Sequence, residues 1–512
     1  MLLFFAIFFN IPHNHAAVDL TIQSYAVGEV VVDAVIEKIL RSRIFKDDFE
    51  FLKRLARFES NFGEDFLISQ DFGGGIWRVT EQEYDYTKRG ARYTMLQGFE
   101  RKIYENFGIT WQHTVWTDLV KPLHSALAVM MYLAVRSDSI PQTLEQQGTF
   151  YENYLARNSK GAVDFERVIK SWEEALKTCP GKLDLVVLLD GSGSVQEDNF
   201  EKSIEFVTNL FQSYSLKEVR MGFLLFSTGV EKVFDLSDSF GTIEEVKSRV
   251  QDVEYPGGST NTNEGIIRAV SMFRSASPRP GVPKILAIFT DGKSNMGGPR
   301  NAGGIPDIYQ ARSLNVTAFA IGIGPSISMP ELEEITNNNP SRIFSLAEFD
   351  ALTEFFRRLN RVTCEVPQVP TANETTDDTL ERNQRRIYNF YLPPSGITVE
   401  IDVNQGLAEG YYSYTFEKPS VALNDGVLRP GSNYIPFKDS SNEIRRSRRD
   451  VHEEGEVGGQ VYISVVGVDD KNDYRITVTP GVGSTAAFLS VNFSLFTTSM
   501  VTAFYTMHAW SL

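Results

Sequence analysis

An apolar run that ends abruptly at an aspartate constrains the fold of this chain more than any other feature. The run Leu185–Leu189 is followed by Asp190, and Ser192 and Ser194 come next at alternate positions. A continuous apolar stretch is typical of a parallel strand that helices cover on both faces. Because such sheets bind ligands outside the carboxyl ends of their strands, we expect oxygen ligands at one edge of a doubly wound α/β sheet.

Two later segments add oxygen-bearing side chains to this pattern. The polar loop Gly257–Thr262 contains Thr260, and the apolar run Ile285–Thr290 ends at Asp291. Hard divalent cations prefer oxygen ligands, and Mg²⁺ keeps several waters beside one or two protein carboxylates. The sequence therefore predicts one metal site, at which a carboxylate of a partner protein would complete the coordination. Its predicted ligands are Asp190, Ser192, Ser194, Thr260 and Asp291.

At these five residues the chain resembles the von Willebrand factor type A domain. The adhesion site of that family consists of Asp-x-Ser-x-Ser, a loop threonine and an aspartate at a strand end. The resemblance covers residues 179–364 and includes the apolar strand Ala318–Gly324. It implies Mg²⁺ as the cofactor, with Mn²⁺ or Ca²⁺ as alternatives, and an extracellular protein ligand such as collagen or another matrix component. A type A fold whose metal site is unused is the alternative.

Residues 17–175 predict a separate α-helical domain. Phe49, Leu52 and Ala56 recur at helical spacing, and Glu59 continues this apolar stripe near the end of the helix. Burial disfavours the charged form of a carboxyl group, and a general acid must be protonated to act. Glu59 is therefore a candidate catalytic residue.

Two motifs in this region resemble those of goose-type lysozymes and lytic transglycosylases. They are Glu59–Gly63 and Gly73–Val79, and the resemblance makes Lys121–Ala128 a later helix of a lysozyme-like fold. It implies that Glu59 protonates the glycosidic oxygen of peptidoglycan. The second motif has Arg78 where that family commonly has Gln. A scaffold that binds glycan or only packs, without enzymatic activity, is therefore preferred over an active glycosidase or lytic transglycosylase.

The N-terminus and the sequons favour a secretory route. Residues 1–16 contain the apolar core Leu2–Phe9 and are predicted to be a signal peptide. N-glycosylation sequons occur at Asn315, Asn373 and Asn492. We therefore expect a secreted or cell-surface protein.

The two cysteines and the net charge agree with that localisation. Cys179 and Cys364 bracket the type A segment, which predicts one disulfide between neighbouring domain termini, with two free thiols as the alternative. The formal net charge of −16 argues against nucleic acid as a partner and fits a soluble extracellular protein.

The C-terminal third predicts three further parts. Residues 365–385 contain prolines and acidic residues typical of a linker, and residues 386–482 show the short alternating strands of a small antiparallel β-sandwich. Inside the sandwich, the Arg-x-Arg-Arg pattern of furin-like convertases predicts cleavage after Arg449, with an uncleaved basic loop as the alternative. Residues 483–512 form a hydrophobic tail, interpreted as a glycosylphosphatidylinositol-attachment signal, a transmembrane span or a final strand. Contact with a membrane is expected only through this tail.

These predictions lead to two hypotheses of different classes. The first is an extracellular adhesion or matrix protein that binds a protein ligand through a divalent metal at the type A domain. The second is a secreted enzyme that cleaves peptidoglycan or another glycan with Glu59 as the general acid.

Overall fold

The structure is a computed structural model of the 512-residue chain. It describes residues 17–45, 49–65, 72–89, 94–137, 139–155, 161–175, 182–296, 304–352, 355, 358–359, 362–363, 365–370, 373, 375–438 and 459–481. The described residues divide into two compact units, one from Val18 to Val366 together with Val421–Leu423 and one with the rest from Pro367 onward. The predicted signal peptide, Cys179, Cys364, Arg449, Asn492 and the tail lie outside the described residues.

The first part of the larger unit is helical. Its described helices are α1 (Glu29–Ser42), α2 (Glu50–Ser60), α3 (Glu81–Thr87), α4 (Thr94–Phe107), α5 (Pro122–Arg136), α6 (Leu144–Tyr154) and α7 (Ala162–Ala175), with 3-10 turns at Leu20–Ile22, Trp111–His113 and Trp116–Val120. Helix α5 begins at a proline, which suits the first helical position because its missing N–H has no partner there. Residues 122–133 of α5 are all buried, so this helix forms the centre of the helical core.

A six-stranded sheet forms the second part of the larger unit. Its strands are β1 (Leu183–Asp190), β2 (Val219–Phe226), β3 (Val230–Phe234), β4 (Lys284–Thr290), β5 (Val316–Ile323) and β6 (Ile343–Leu346). They lie in the order β3-β2-β1-β4-β5-β6, and all neighbours are parallel except β3 with β2. The strand order reverses at β1 and β4, so the carboxyl ends of these two strands flank the switch point at which such sheets bind ligands.

Helices cover both faces of this sheet, as the apolar runs predict. They are α8 (Glu197–Gln212), α9 (Ile243–Gln251), α10 (Thr262–Ser275), α11 (Ile308–Ser313) and α12 (Met329–Ile335), with 3-10 turns at Pro340–Arg342 and Phe349–Ala351. Leu185, Val187 and Leu189 of β1 belong to one core, and Val186 and Leu188 to the other. Because β1 is buried on both faces, its sequence is apolar without alternation.

The helical region also contacts the free edge of this sheet. The side-chain amide of Gln142 donates to the carbonyl oxygen of Ser345 at 2.5 Å and accepts from the backbone N of Ala347 at 2.7 Å. Arg43 forms an ion pair with Glu333 of α12 at 2.8 Å. The glutamine thus satisfies backbone groups that an edge strand such as β6 would otherwise expose.

The smaller unit is an antiparallel β-sandwich. Its strands are β7 (Thr375–Glu381), β8 (Arg385–Leu392), β9 (Ile397–Gln405), β10 (Ala408–Ser413), β11 (Gly426–Leu428), β12 (Gly431–Ile435), β13 (Gly459–Gly467) and β14 (Lys471–Pro480). One sheet has the order β12-β9-β14-β7 and the other β11-β10-β13-β8. The inward-facing residues of the two sheets share one apolar core.

Strand β7 corrects one prediction. It lies inside residues 365–385, which the sequence predicts to be a linker. Only Leu380 is buried in this strand, because β7 is at the edge of its sheet and its other side chains reach solvent. Without an apolar alternation, the segment has no sequence signal for a strand.

Among the described residues, no helix combines the length and the apolar character needed to cross a bilayer.

Candidate metal centre

Asp190 is the last residue of β1, and its carboxylate is held in a fixed orientation. It is 2% exposed. One oxygen accepts from the backbone N of Ser192 at 2.9 Å, and the other accepts from the hydroxyl of Thr290 at 2.7 Å. Because Thr290 ends the neighbouring strand β4, the two strand ends are joined directly at this carboxylate.

The two serines connect the loop after β1 to the loop after β4. The hydroxyl oxygens of Ser192 and Ser194 are 3.1 Å apart, and Ser194 donates to a carboxylate oxygen of Asp291 at 2.8 Å. Ser192 is fully buried whereas Ser194 is exposed. Solvent therefore reaches the centre on the side of Ser194.

Thr260 lies on a third loop that packs against the other two. The backbone N of Gly193 donates to the carbonyl oxygen of Gly258 at 2.8 Å, which joins this loop to the serines. The backbone N of Thr260 donates to the side chain of Asn295 at 2.9 Å, and its carbonyl oxygen accepts from the backbone N of Asn295 at 3.0 Å. The five predicted residues therefore lie at the end of β1 and on three adjoining loops.

The two carboxylates of the centre are electrostatically unfavourable by themselves. Burial and, to a smaller extent, the charge of Asp291 together raise the pKa of Asp190 to about 6, against the hydrogen bonds from Ser192 and Thr290. Burial also raises the pKa of Asp291. No described lysine, arginine or histidine forms an ion pair with either group. A bound cation would remove this penalty.

The donor set fits a hard divalent cation. It consists of two carboxylates and three hydroxyl groups, and oxygen-only sets of this kind suit Mg²⁺, Mn²⁺ or Ca²⁺ better than soft metals. In the part of the chain that the structure describes, no group of three or more His, Cys, Asp or Glu side chains could hold a metal. The centre therefore depends on neutral hydroxyl oxygens as well as on charge.

Sequence reasoning missed three residues around this centre. Thr290 and Asn295 orient Asp190 and Thr260, and Glu331 accepts from the backbone N of Ser294. Thr290 directly precedes Asp291 and could have been noticed as a strand-end hydroxyl. Asn295 and Glu331 have no such signal, because their partners are distant in sequence.

In the helical region, Glu59 is the last residue but one of α2 and is 3% exposed, as its place on the apolar stripe predicts. The hydroxyl of the next residue, Ser60, donates to the carbonyl oxygen of Ile76 at 2.7 Å and accepts from the backbone N of Gly63 at 2.8 Å. The two segments that suggest a glycan-cleaving fold are therefore in contact.

The glycine-rich loop 73–79, which contacts Ser60 next to Glu59, is closely packed. Gly75 has a φ of +68°, and a Cβ atom there would lie 1.9 Å from the carbonyl oxygen of Leu119. The indole of Trp77 donates to the carbonyl oxygen of Leu52 at 2.8 Å. Arg78, the position that departs from the lysozyme-like motif, also has a positive φ, of 47°.

Of the predicted glycosylation sites, Asn315 and Asn373 are exposed.

Comparisons with known proteins agree with this geometry. A sequence profile of the von Willebrand factor type A domain matches residues 184–358. The collagen alpha-1(XXI) chain of Xenopus laevis is 31% identical over 198 residues, which are 38% of this chain and 20% of that one. Matrilin-1 of Gallus gallus is 31% identical over 188 residues, 36% of each chain. The match thus spans a fifth to about a third of these relatives.

A solved structure of proximal thread matrix protein 1 from the mussel byssus is also similar. It is 27% identical, with a TM-score of 0.33, and the match covers 40% of this chain and 50% of that one. The family profile falls on the six-stranded sheet and its polar loops. Residues 184–358 are therefore a von Willebrand factor type A domain.

Proposed function

We propose that this protein is an extracellular matrix or adhesion protein whose type A domain binds a protein ligand through a divalent metal. The observation that carries the proposal is the buried pair Asp190 and Asp291, which are connected through Ser192 and Ser194 and form no ion pair with a described lysine, arginine or histidine. The relatives named collagen and matrilin support a matrix setting.

The residues of the centre would have different roles in binding the metal. Asp190 and Asp291 would supply the negative charge, and Ser192, Ser194 and Thr260 would supply neutral oxygens. When bound, the metal is a Lewis acid that attracts a further oxygen ligand. Because Ser194 is exposed, an acidic side chain of a partner protein would approach from its side. Mg²⁺ is the proposed cofactor, with Mn²⁺ and Ca²⁺ as alternatives.

The test is binding of the full-length secreted protein to a panel of collagens and other matrix proteins, in Mg²⁺ and in EDTA. We expect binding that EDTA removes and that Asp190→Ala abolishes. Glu254→Ala is the matched control, because Glu254 is an exposed acid of the same domain. Equal binding by wild type and Asp190→Ala, with no effect of the chelator, would refute the proposal.

Secretion, glycosylation and proteolytic processing belong to the same proposal. The exposed Asn315 and Asn373 suit glycosylation. Cleavage after Arg449 would fall between β12 and β13. Because β13 pairs with β8 and β10, and β14 pairs with β7 and β9, the C-terminal fragment would stay bound through both sheets. After convertase treatment we expect two bands on a denaturing gel but one species in gel filtration. Two separated species would contradict this expectation.

A second candidate function is glycan cleavage, for which the burial of Glu59 beside the 73–79 loop is the favouring observation. A general acid of this reaction is a carboxyl group placed within reach of the glycosidic oxygen. The test is the loss of turbidity of a peptidoglycan suspension, from acidic to neutral pH. An active enzyme would lose this activity in Glu59→Gln and keep it in Glu64→Gln, since Glu64 is exposed. Without activity in the wild type, the helical region would be a glycan-binding or packing scaffold.

A further inference from the structure

An acidic side chain that is not one of the predicted metal ligands is hydrogen-bonded to a loop of the centre. Glu331 lies in the first turn of α12 and is 5% exposed. The backbone N of Ser294 donates to both of its carboxylate oxygens, at 3.2 and 3.1 Å. Either carboxylate oxygen is within reach of this N–H, so the side chain of Glu331 holds the backbone of Ser294 in place.

The residue that Glu331 holds belongs to the segment that connects two predicted ligands. Ser294 comes three residues after Asp291, and its hydroxyl donates to the carbonyl oxygens of Met296 at 3.1 Å and of Thr260 at 3.4 Å. The backbone N of Met296 also donates to the carbonyl oxygen of Thr260, at 3.2 Å. The segment from Asp291 to Met296 therefore fixes where Asp291 and Thr260 lie relative to each other.

Helix α12 is itself firmly placed, so it can serve as a support. Leu332 packs so closely on β5 that a Cβ atom on Gly322 would lie 2.8 Å from it. On the other side, Glu333 forms the ion pair with Arg43 of the helical region. Two glutamates of this short helix thus have different partners, because Glu331 contacts the loops of the centre and Glu333 contacts the helical region.

We propose that Glu331 is a positioning residue of the metal centre, which holds the Asp291–Met296 segment through Ser294 and so sets the affinity for the cation. The inference rests on the proposed metal-binding function. Partners of this kind, one step removed from the metal, typically change metal affinity by about 10- to 100-fold when they are lost.

Glu331 also adds negative charge near Asp190, and this second effect must be separated from positioning. Two conservative variants do so. Glu331→Gln removes the charge but keeps an acceptor oxygen at the same reach. Glu331→Asp keeps the charge but is one methylene shorter, so its carboxylate is drawn away from the backbone N of Ser294. Glu333→Asp is the matched control on the same helix.

The experiment is a calorimetric titration of the full-length protein with Mg²⁺ and with Mn²⁺. The pH is set well above 7, because burial raises the pKa of Glu331 to about 7 and the wild type should be charged. We expect Glu331→Asp to weaken metal binding by about tenfold or more, and Glu331→Gln and Glu333→Asp to remain within about threefold of wild type. If Glu331→Gln is as weak as Glu331→Asp, or if Glu331→Asp binds like wild type, positioning is refuted.

Amide hydrogen exchange of Ser294 in the metal-free protein provides a readout that does not need a metal. Positioning predicts faster exchange in Glu331→Asp than in wild type, Glu331→Gln or Glu333→Asp. Unchanged exchange in Glu331→Asp would overturn the inference. A wild type that binds neither metal would refute the proposed function, and the exchange data alone would then decide whether Glu331 holds the segment.

Discussion

The candidate metal centre and the surroundings of Glu59 both bury acidic side chains in the larger compact unit, but with different neighbours. At the centre, residues from three loops of the sheet contact one another, and Asp190 and Asp291 are connected through Ser192 and Ser194. Beside Glu59, the next residue, Ser60, donates to the carbonyl oxygen of Ile76 in a glycine-rich loop and accepts from the backbone N of Gly63. A motif whose members come from distant segments specifies a site, whereas a single buried glutamate specifies only an environment.

The largest expected effect compares the two sites directly. Asp190→Ala should weaken metal binding by at least about 100-fold, because even partners beyond the ligands contribute about 10- to 100-fold. Glu59→Gln should leave metal affinity unchanged. Titration of both variants with Mg²⁺ measures the difference. A loss of metal binding in Glu59→Gln would show that the two sites are coupled and would contradict their treatment as separate sites.

The next prediction tests how rigid the surroundings of Glu59 are. Gly75→Ala would place a Cβ atom 1.9 Å from the carbonyl oxygen of Leu119, in a residue with φ +68°, and should lower stability by about 2–3 kcal/mol. Gly98→Ala in α4 is the control, because a Cβ there meets nothing within 4 Å and should stabilise the helix slightly. Thermal unfolding measures both changes. Equal stability of the two variants would mean that the glycine-rich loop 73–79 accommodates the added Cβ atom without loss of stability.

Acidification should act on the metal centre through Asp190. Its folded-state pKa is raised from 3.8 to about 6, so the metal-free protein gains stability as the pH falls between these values. The metal requires the carboxylate, so its affinity should fall below a pH of about 6, by up to about tenfold per pH unit. The increase in unfolding temperature caused by Mg²⁺ should therefore shrink below that pH. If Mg²⁺ still raises the unfolding temperature by the same amount at much lower pH, Asp190 is not the titrating ligand.

The positions of Asp190 and Asp291 could be predicted from the sequence because both residues mark strand ends. Asp190 and Asp291 terminate apolar runs, and the parallel order of β1 and β4 brings such ends together. The pairing of Ser294 with Glu331 had no signal, since it depends on how α12 packs on β5. The polar strand β7 was predicted to be a linker for a related reason, because an edge strand with one buried residue has no apolar alternation.

The smallest expected effect concerns the contact between the helical region and the type A domain. Gln142→Ala removes two backbone hydrogen bonds, one to Ser345 in β6 and one from Ala347 just after it. Water can replace them at this exposed edge, so the loss of stability should be about 0.5–1 kcal/mol. Gln146→Ala is the matched control, because Gln146 is an exposed glutamine of the adjoining helix α6. Chemical denaturation of both variants measures the difference. If Gln142→Ala also weakens metal binding, the helical region supports the centre through the sheet edge as well as through α12. An unchanged metal affinity would mean that this contact stabilises the protein without affecting the centre.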